Sequence, residues 1–94
     1  MIFEWDAKKA TQNVVKHGVP FEYAARVFLN PYRLDSADTR HDYREERRLT
    51  LGAIDGRLFA VAYTTRGTVI RLISARKANE REQRHYDETL SAES

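Results

Sequence analysis

The residues of this chain able to do chemistry lie at a few positions. Arg71 stands inside an apolar run, Val69-Ile70-Arg71-Leu72-Ile73, and Arg76 closes the same segment. A strand that keeps a guanidinium among apolar side chains needs an anion or a buried partner, because an unpaired charge is costly to remove from water. Arginine's planar fork matches two phosphate oxygens, so a phosphate ligand is one such anion. An ion pair with a carboxylate such as Glu82 is the plain structural alternative. Arg47 and Arg66 bracket the neighbouring segments and are further candidates for phosphate contact, against roles as a solvated face and a turn residue. Histidine as a residue type has an unperturbed pKa near neutrality, so His17 is a candidate for moving protons. Its structural alternative is a cation at a helix C-terminus, where Lys16 beside it also belongs unless it touches phosphate. Tyr63 stacks on a base or bonds a phosphate, or else pairs across a sheet as a core aromatic. There are no cysteines, and His17, His41 and His85 are dispersed without metal-ligand spacing. The expectation is chemistry without a metal or cofactor.

The elements that must position these groups centre on Arg47 to Arg76. Asp55-Gly56 and Arg66-Gly67 punctuate three β-branched and aromatic runs, which predicts an antiparallel meander over 47–54, 57–65 and 68–76. Alternation sends Ile70 and Leu72 to one face and Arg71 to the other, where Tyr63, Arg66 and Arg76 are expected to join it. Upstream, Met1 to Trp5 suits a short strand, with Phe3 and Trp5 on one side. Asp6 is an N-cap for a helix over 7–17 with Ala7, Ala10, Val14 and His17 as its inward stripe, and Gly18 stops it. Pro20 opens a second helix to about 29, built on Phe21, Ala24, Ala25 and Phe28. A strand over 32–36 and a polar loop over 35–46 follow. Asn79 and Glu82 resemble a capping box for a last helix over 79–89, so polar that it lies on the surface or docks on another chain. The fold class is α+β: an N-terminal strand and helical hairpin on an antiparallel sheet, with a C-terminal helix.

The 94 residues suffice for one domain, 1–94, with a frayed tail from about 90. Sixteen Lys and Arg, mostly arginine, against 14 Asp and Glu give a net charge of +2, too small by itself to imply a nucleic-acid partner. No run has the length of a membrane span, so the expected location is the cytoplasm.

The ordered set Phe3-Glu4-Trp5-Asp6, Lys9, Asn13, Lys16-His17-Gly18-Val19, Phe21, Ala24, Val27-Phe28 and Pro31 resembles the BrnT family of toxins. The later half agrees through Glu46-Arg47, Gly52, Tyr63-Thr64, Arg66, Arg71 to Arg76, Ala78, Glu82 and Tyr86. The resemblance implies a RelE-like fold and a ribonuclease that stops translation, the toxin of a type II toxin–antitoxin pair. It also implies a cognate antitoxin with a DNA-binding portion, expected in a complex with two copies of each chain. Cleaving RNA through its own 2′-hydroxyl needs a base, an acid and cations on one face. The catalytic candidates are His17, Tyr63, Arg71 and Arg76, and the RNA-binding candidates Lys16, Arg47 and Arg66. The rival is a non-catalytic nucleic-acid-binding or protein-interaction module that uses the same arginines.

Overall fold

The computed structural model describes residues 1–39 and 45–93, with Glu93 in its backbone alone. Residues 40–44, most of the distal half of the expected polar loop and the place of His41, lie outside it. A five-stranded sheet runs in the order β1-β5-β4-β3-β2. Its strands are β1 (Ile2–Glu4), β2 (Leu34–Ala37), β3 (Arg48–Ile54), β4 (Arg57–Arg66) and β5 (Val69–Lys77). The meander is as expected, with Asp55 and Gly56 at φ 51° and 80°, the left-handed pair that a tight hairpin requires. The expectation of a wholly antiparallel sheet is corrected at one edge. β1 lies parallel to β5, in register Ile2↔Val69 to Glu4↔Arg71, so the sheet is mixed. No hairpin joins these two strands, which are distant in sequence, and either direction was open to β1.

One face of the sheet meets the helices α1 (Ala7–His17) and α2 (Phe21–Ala24), the latter continued by a 3₁₀ helix over Ala25–Leu29. The expected second helix is therefore α-helical only in its first turn. Phe21, Ala24, Val27 and Phe28 pack there on Phe59, Val61, Tyr63, Leu72 and Ala75, with Phe3 and Trp5 against them. Val27 presses so close to β3 that a Cβ on Gly52 would stand 2.9 Å from its Cβ, which explains the glycine. The other face carries a smaller core of Leu51, Leu58, Ala60 and Tyr86, with Leu34, Leu49, Ala78 and Leu90 at its margin. Its cover is α3 (Glu80–Glu93). That helix docks on its own sheet: the capping box forms in both directions between Asn79 and Glu82, and Asn30 Nδ2 donates to the Tyr86 hydroxyl at 3.0 Å. It runs past the expected end at 89, with Leu90 packed beneath it.

The inward stripe of α1 differs from the expected one. Val14 is 45% exposed, and the one buried residue of the helix is Asn13. Beyond Arg71, β1 has ended, and the Asn13 carboxamide takes its place on β5. Its Nδ2 donates to Ala75 O at 2.8 Å and to Val19 O at 2.9 Å, while its Oδ1 accepts from Ala75 N at 3.0 Å. Asn13 thus pairs both backbone groups of one strand residue, as a neighbouring strand would, and a buried polar side chain replaces the valine of the expected stripe.

We expect Asn13→Ala to lower stability by roughly 2–4 kcal/mol, since it leaves backbone groups buried without partners. Urea unfolding followed by circular dichroism measures it. An unchanged midpoint would contradict the clamp.

Candidate functional site

The residues of β5 do not alternate throughout. Tyr63 pairs with Leu72 but Ala62 with Ser74, so Ile73 is an extra residue, a β-bulge. Leu72 and Ala75 both enter the helix-side core, although three residues apart. On the other side, Arg71 opposite Thr64, Ser74 opposite Ala62 and Arg76 opposite Ala60 follow one another on a single face. Arg71 and Arg76 share one face as expected, but through the bulge, since strict alternation over five residues would have separated them. Arg66, opposite Val69, belongs to this face by the same register. Arg47 immediately precedes β3, whose first pair is Arg48↔Tyr63, and it is half-buried.

Arg66, Arg71 and Arg76 each meet a carboxylate. Arg76 meets Glu82 through two bonds, Nη1 to Oε1 at 2.7 Å and Nη2 to Oε2 at 3.0 Å. This is the ion pair expected as its structural alternative, and it ties β5 to the first turn of α3. Arg71 Nη1 donates to Glu4 Oε2 at 3.1 Å. Arg66 stands 3.6 Å from Glu45 and is more than half exposed. The last turn of α1 brings Lys16 and His17 to the same strand from its free edge. With Lys9, Gln12 and Asn13 they line a cavity of about 230 Å³ that reaches Ile73 and Ser74. Its lining includes the lysines Lys9 and Lys16 and, among the described residues, no carboxylate.

Tyr63 is not part of this group, against the expectation that it shares a face with Arg71. It turns to the helix side, where its ring stands edge-on to Phe28 at 5.0 Å. Its hydroxyl donates to Asp35 Oδ1 at 2.5 Å. Arg48 Nε donates to the other oxygen of Asp35, and Arg33 Nη1 donates to Asp35 Oδ1 at 3.1 Å and to Thr50 Oγ1 at 3.2 Å. The Arg33 guanidinium also lies over the Phe28 ring, 4.8 Å from its centre. Burial first, then the bond to Asp35, push the Tyr63 phenol above its ordinary pKa. The hydrogen bond to Asp35, before its charge, likewise raises the Arg48 guanidinium. This network ties the edge strand β2 to β3 and β4 and holds the Tyr63 proton in place.

Sequence reasoning missed Glu4, Asn13, Lys9 and Gln12 as neighbours of the site. Lys9, Gln12 and Lys16 are spaced three and four apart on one helix, a signal present in the sequence. Nothing local signals that Glu4 meets Arg71.

A mixed sheet with helices on both faces, and a lysine-lined cavity at the edge of β5, defines a small α+β domain with room for an anionic ligand. The sequence model of the ribonuclease toxin BrnT of type II toxin–antitoxin systems matches residues 5–82. The chain belongs to that family and is a ribonuclease toxin of the type II class, whose members have a cognate antitoxin. No curated protein matches it. Among the described residues, no helix is long and apolar enough to cross a membrane.

We expect Tyr63→Phe to fold, to lose about 1 kcal/mol of stability, and to leave RNA cleavage unchanged. The folded pKa of Tyr63 is raised, so the neutral phenol is favoured. Its contribution is whole below pH about 10 and is lost as pH rises from there towards the folded value. Stability of wild type and variant should therefore converge in strong alkali, which paired denaturant titrations at neutral and alkaline pH measure. A variant with no cleavage would return Tyr63 to the catalytic group.

Proposed function

We propose that this toxin cleaves single-stranded RNA without a metal ion, in the cytoplasm, and thereby arrests translation. The observation that carries the reading is the Ile73 bulge, which aligns Arg71, Ser74 and Arg76 on one face while Lys16 and His17 approach Ser74 from the edge. Arg71 donates to the non-bridging oxygens of the scissile phosphate, whose charge grows as the 2′-oxygen attacks. Arg76, spanned by Glu82, flanks that phosphate and fixes α3. The exposed Arg66 and Lys16, with the half-buried Arg47, bind the adjoining phosphates of the chain. His17 protonates the departing 5′-oxygen. Tyr63, on the far face, takes no part at this phosphate.

The same face is where the antitoxin inhibits. A segment rich in carboxylates would compete with RNA for Arg71 and its neighbours, and complementary charge would speed its capture. The antitoxin carries its own DNA-binding portion, and a dimer of it gives two copies of each chain.

Purified toxin freed of its partner should cut RNA in EDTA and leave 2′,3′-cyclic phosphate ends. Arg71→Ala should lose ~100-fold or more in kcat, the usual cost of one contact to transition-state charge. Cleavage that depends on added magnesium would refute the metal-free step, and RNA bound but never cut would favour the binding-module reading. For the partner, light scattering of the co-expressed pair should give a mass of two copies of each chain, and Arg71→Glu should weaken it. A toxin fully active in antitoxin excess would refute the occlusion.

A further inference from the structure

We propose that Glu4 is the general base of the cleavage reaction, an assignment that rests on the RNA-cleaving reading above. With Tyr63 on the other face, the described residues that offer a base for the 2′-hydroxyl are those beside Arg71. Among the described residues, three carboxylates meet the arginines of that face, and their surroundings differ. Glu82 spans Arg76 with both oxygens, caps the Asn79 N–H at 2.9 Å, and has a side chain only 16% exposed. It is built into the start of α3. Glu45 lies 3.6 Å from the exposed Arg66, outside the bulged segment. Glu4 is 41% exposed and meets Arg71 through Oε2. Among the described residues its second oxygen, Oε1, makes no hydrogen bond, and it is open to accept a proton.

The backbone explains why Glu4 stands there. It is the last residue of β1 and pairs in register with Arg71, so both side chains leave the same face of the sheet. One residue further, β1 leaves the sheet, and α1 takes over the edge of β5 through Asn13. Glu4 and His17 thus flank the Arg71–Ser74 segment, one from the strand that ends there and the other from the helix that follows. In-line displacement at phosphorus needs that division, with the base beside the attacking oxygen and the acid beside the leaving one.

The step balances with these two groups. Glu4 takes the proton of the 2′-hydroxyl as the 2′-oxygen bonds to phosphorus. The bond from phosphorus to the 5′-oxygen breaks, and that oxygen leaves with a proton from His17. The products are a 2′,3′-cyclic phosphate and a 5′-hydroxyl, and water later restores both side chains to their starting forms. Arg71 serves twice, as the clamp on the phosphate and as the group that aims the carboxylate at it.

The test uses two RNA substrates, one ordinary and one with sulfur in place of the 5′-bridging oxygen, a leaving group that needs no proton. Glu4→Gln keeps the side chain's shape and its contact to Arg71. It should cut both substrates ~100-fold or more slowly than wild type, within the range that general-base catalysis supplies. His17→Ala should be slow on the ordinary substrate and recover on the sulfur one. Glu4→Gln should also bind a 2′-deoxy analogue as tightly as wild type, and its circular dichroism should match. Undiminished cleavage by Glu4→Gln, recovery of that variant by the sulfur substrate, or a loss of binding as large as the loss of cleavage would each overturn the assignment. A wild type that cuts neither substrate would instead overturn the cleavage reading itself.

Discussion

The candidate site depends on how the free edge of β5 is closed. β1 covers only Val69 to Arg71, and past that point the strand's outward backbone groups need partners. Unpaired strand edges buried under a helix are costly, and those left open invite other chains. Asn13 closes this edge with one carboxamide, which accepts from Ala75 N and donates to Ala75 O and Val19 O. These bonds fix the rotation of α1 about its axis. Lys16 and His17, three and four residues further on, then lie one turn along the helix, over Ile73 and Ser74. The Gly18 cap, at φ 72°, ends the helix there and sends the chain down to the buried Val19.

The second constraint is the Ile73 bulge, which divides the labour between the faces. Leu72 and Ala75 reach the helix-side core, while Arg71, Ser74 and Arg76 share the opposite face. On the helix side, polarity is used to tie strands together: Asp35 receives Tyr63, Arg33 and Arg48 at once, so the carboxylate and both guanidiniums are compensated. On the other side, the arginines pair with carboxylates from elements that differ in how firmly they are held. Glu82 is locked by its cap into α3, while Glu4 sits at an exposed strand end. The two guanidiniums are about equally exposed, so the difference lies in their partners: Glu82 makes an architectural pair with Arg76, while the carboxylate that meets Arg71 is the accessible one.

The two helical covers are also held differently. The 3₁₀ helix over Ala25–Leu29 depends on close approach, with Val27 resting on Gly52 where no side chain fits. The hairpin tip adds a polar anchor, since Asp55 accepts from Arg26 twice and from the Tyr23 hydroxyl. Those bonds hold the Asp55 carboxyl below its usual range, Arg26 contributing most. α3 has little apolar surface. It is retained by Tyr86 and Leu90, by the Asn30–Tyr86 bond, and by the Arg76–Glu82 pair.

The sequence by itself determined what local physics decides. Asp6 and Gly18 bound the first helix, Asp55-Gly56 set the hairpin, and Asn79 with Glu82 wrote the start of α3, because caps and turns involve residues only a few positions apart. The ordered motif residues also determined the family. What only the tertiary structure decided was long-range. The parallel pairing of β1 with β5, the bulge that unites Arg71 with Arg76, and the turning away of Tyr63 are matters of register between strands. A one-residue slip there reverses every side chain while leaving local preferences almost unchanged. Asn13 in place of Val14 on the inner side of α1 follows the same logic: hydrophobicity favours the valine, and only the unpaired edge of β5, 62 residues away in the chain, selects the amide.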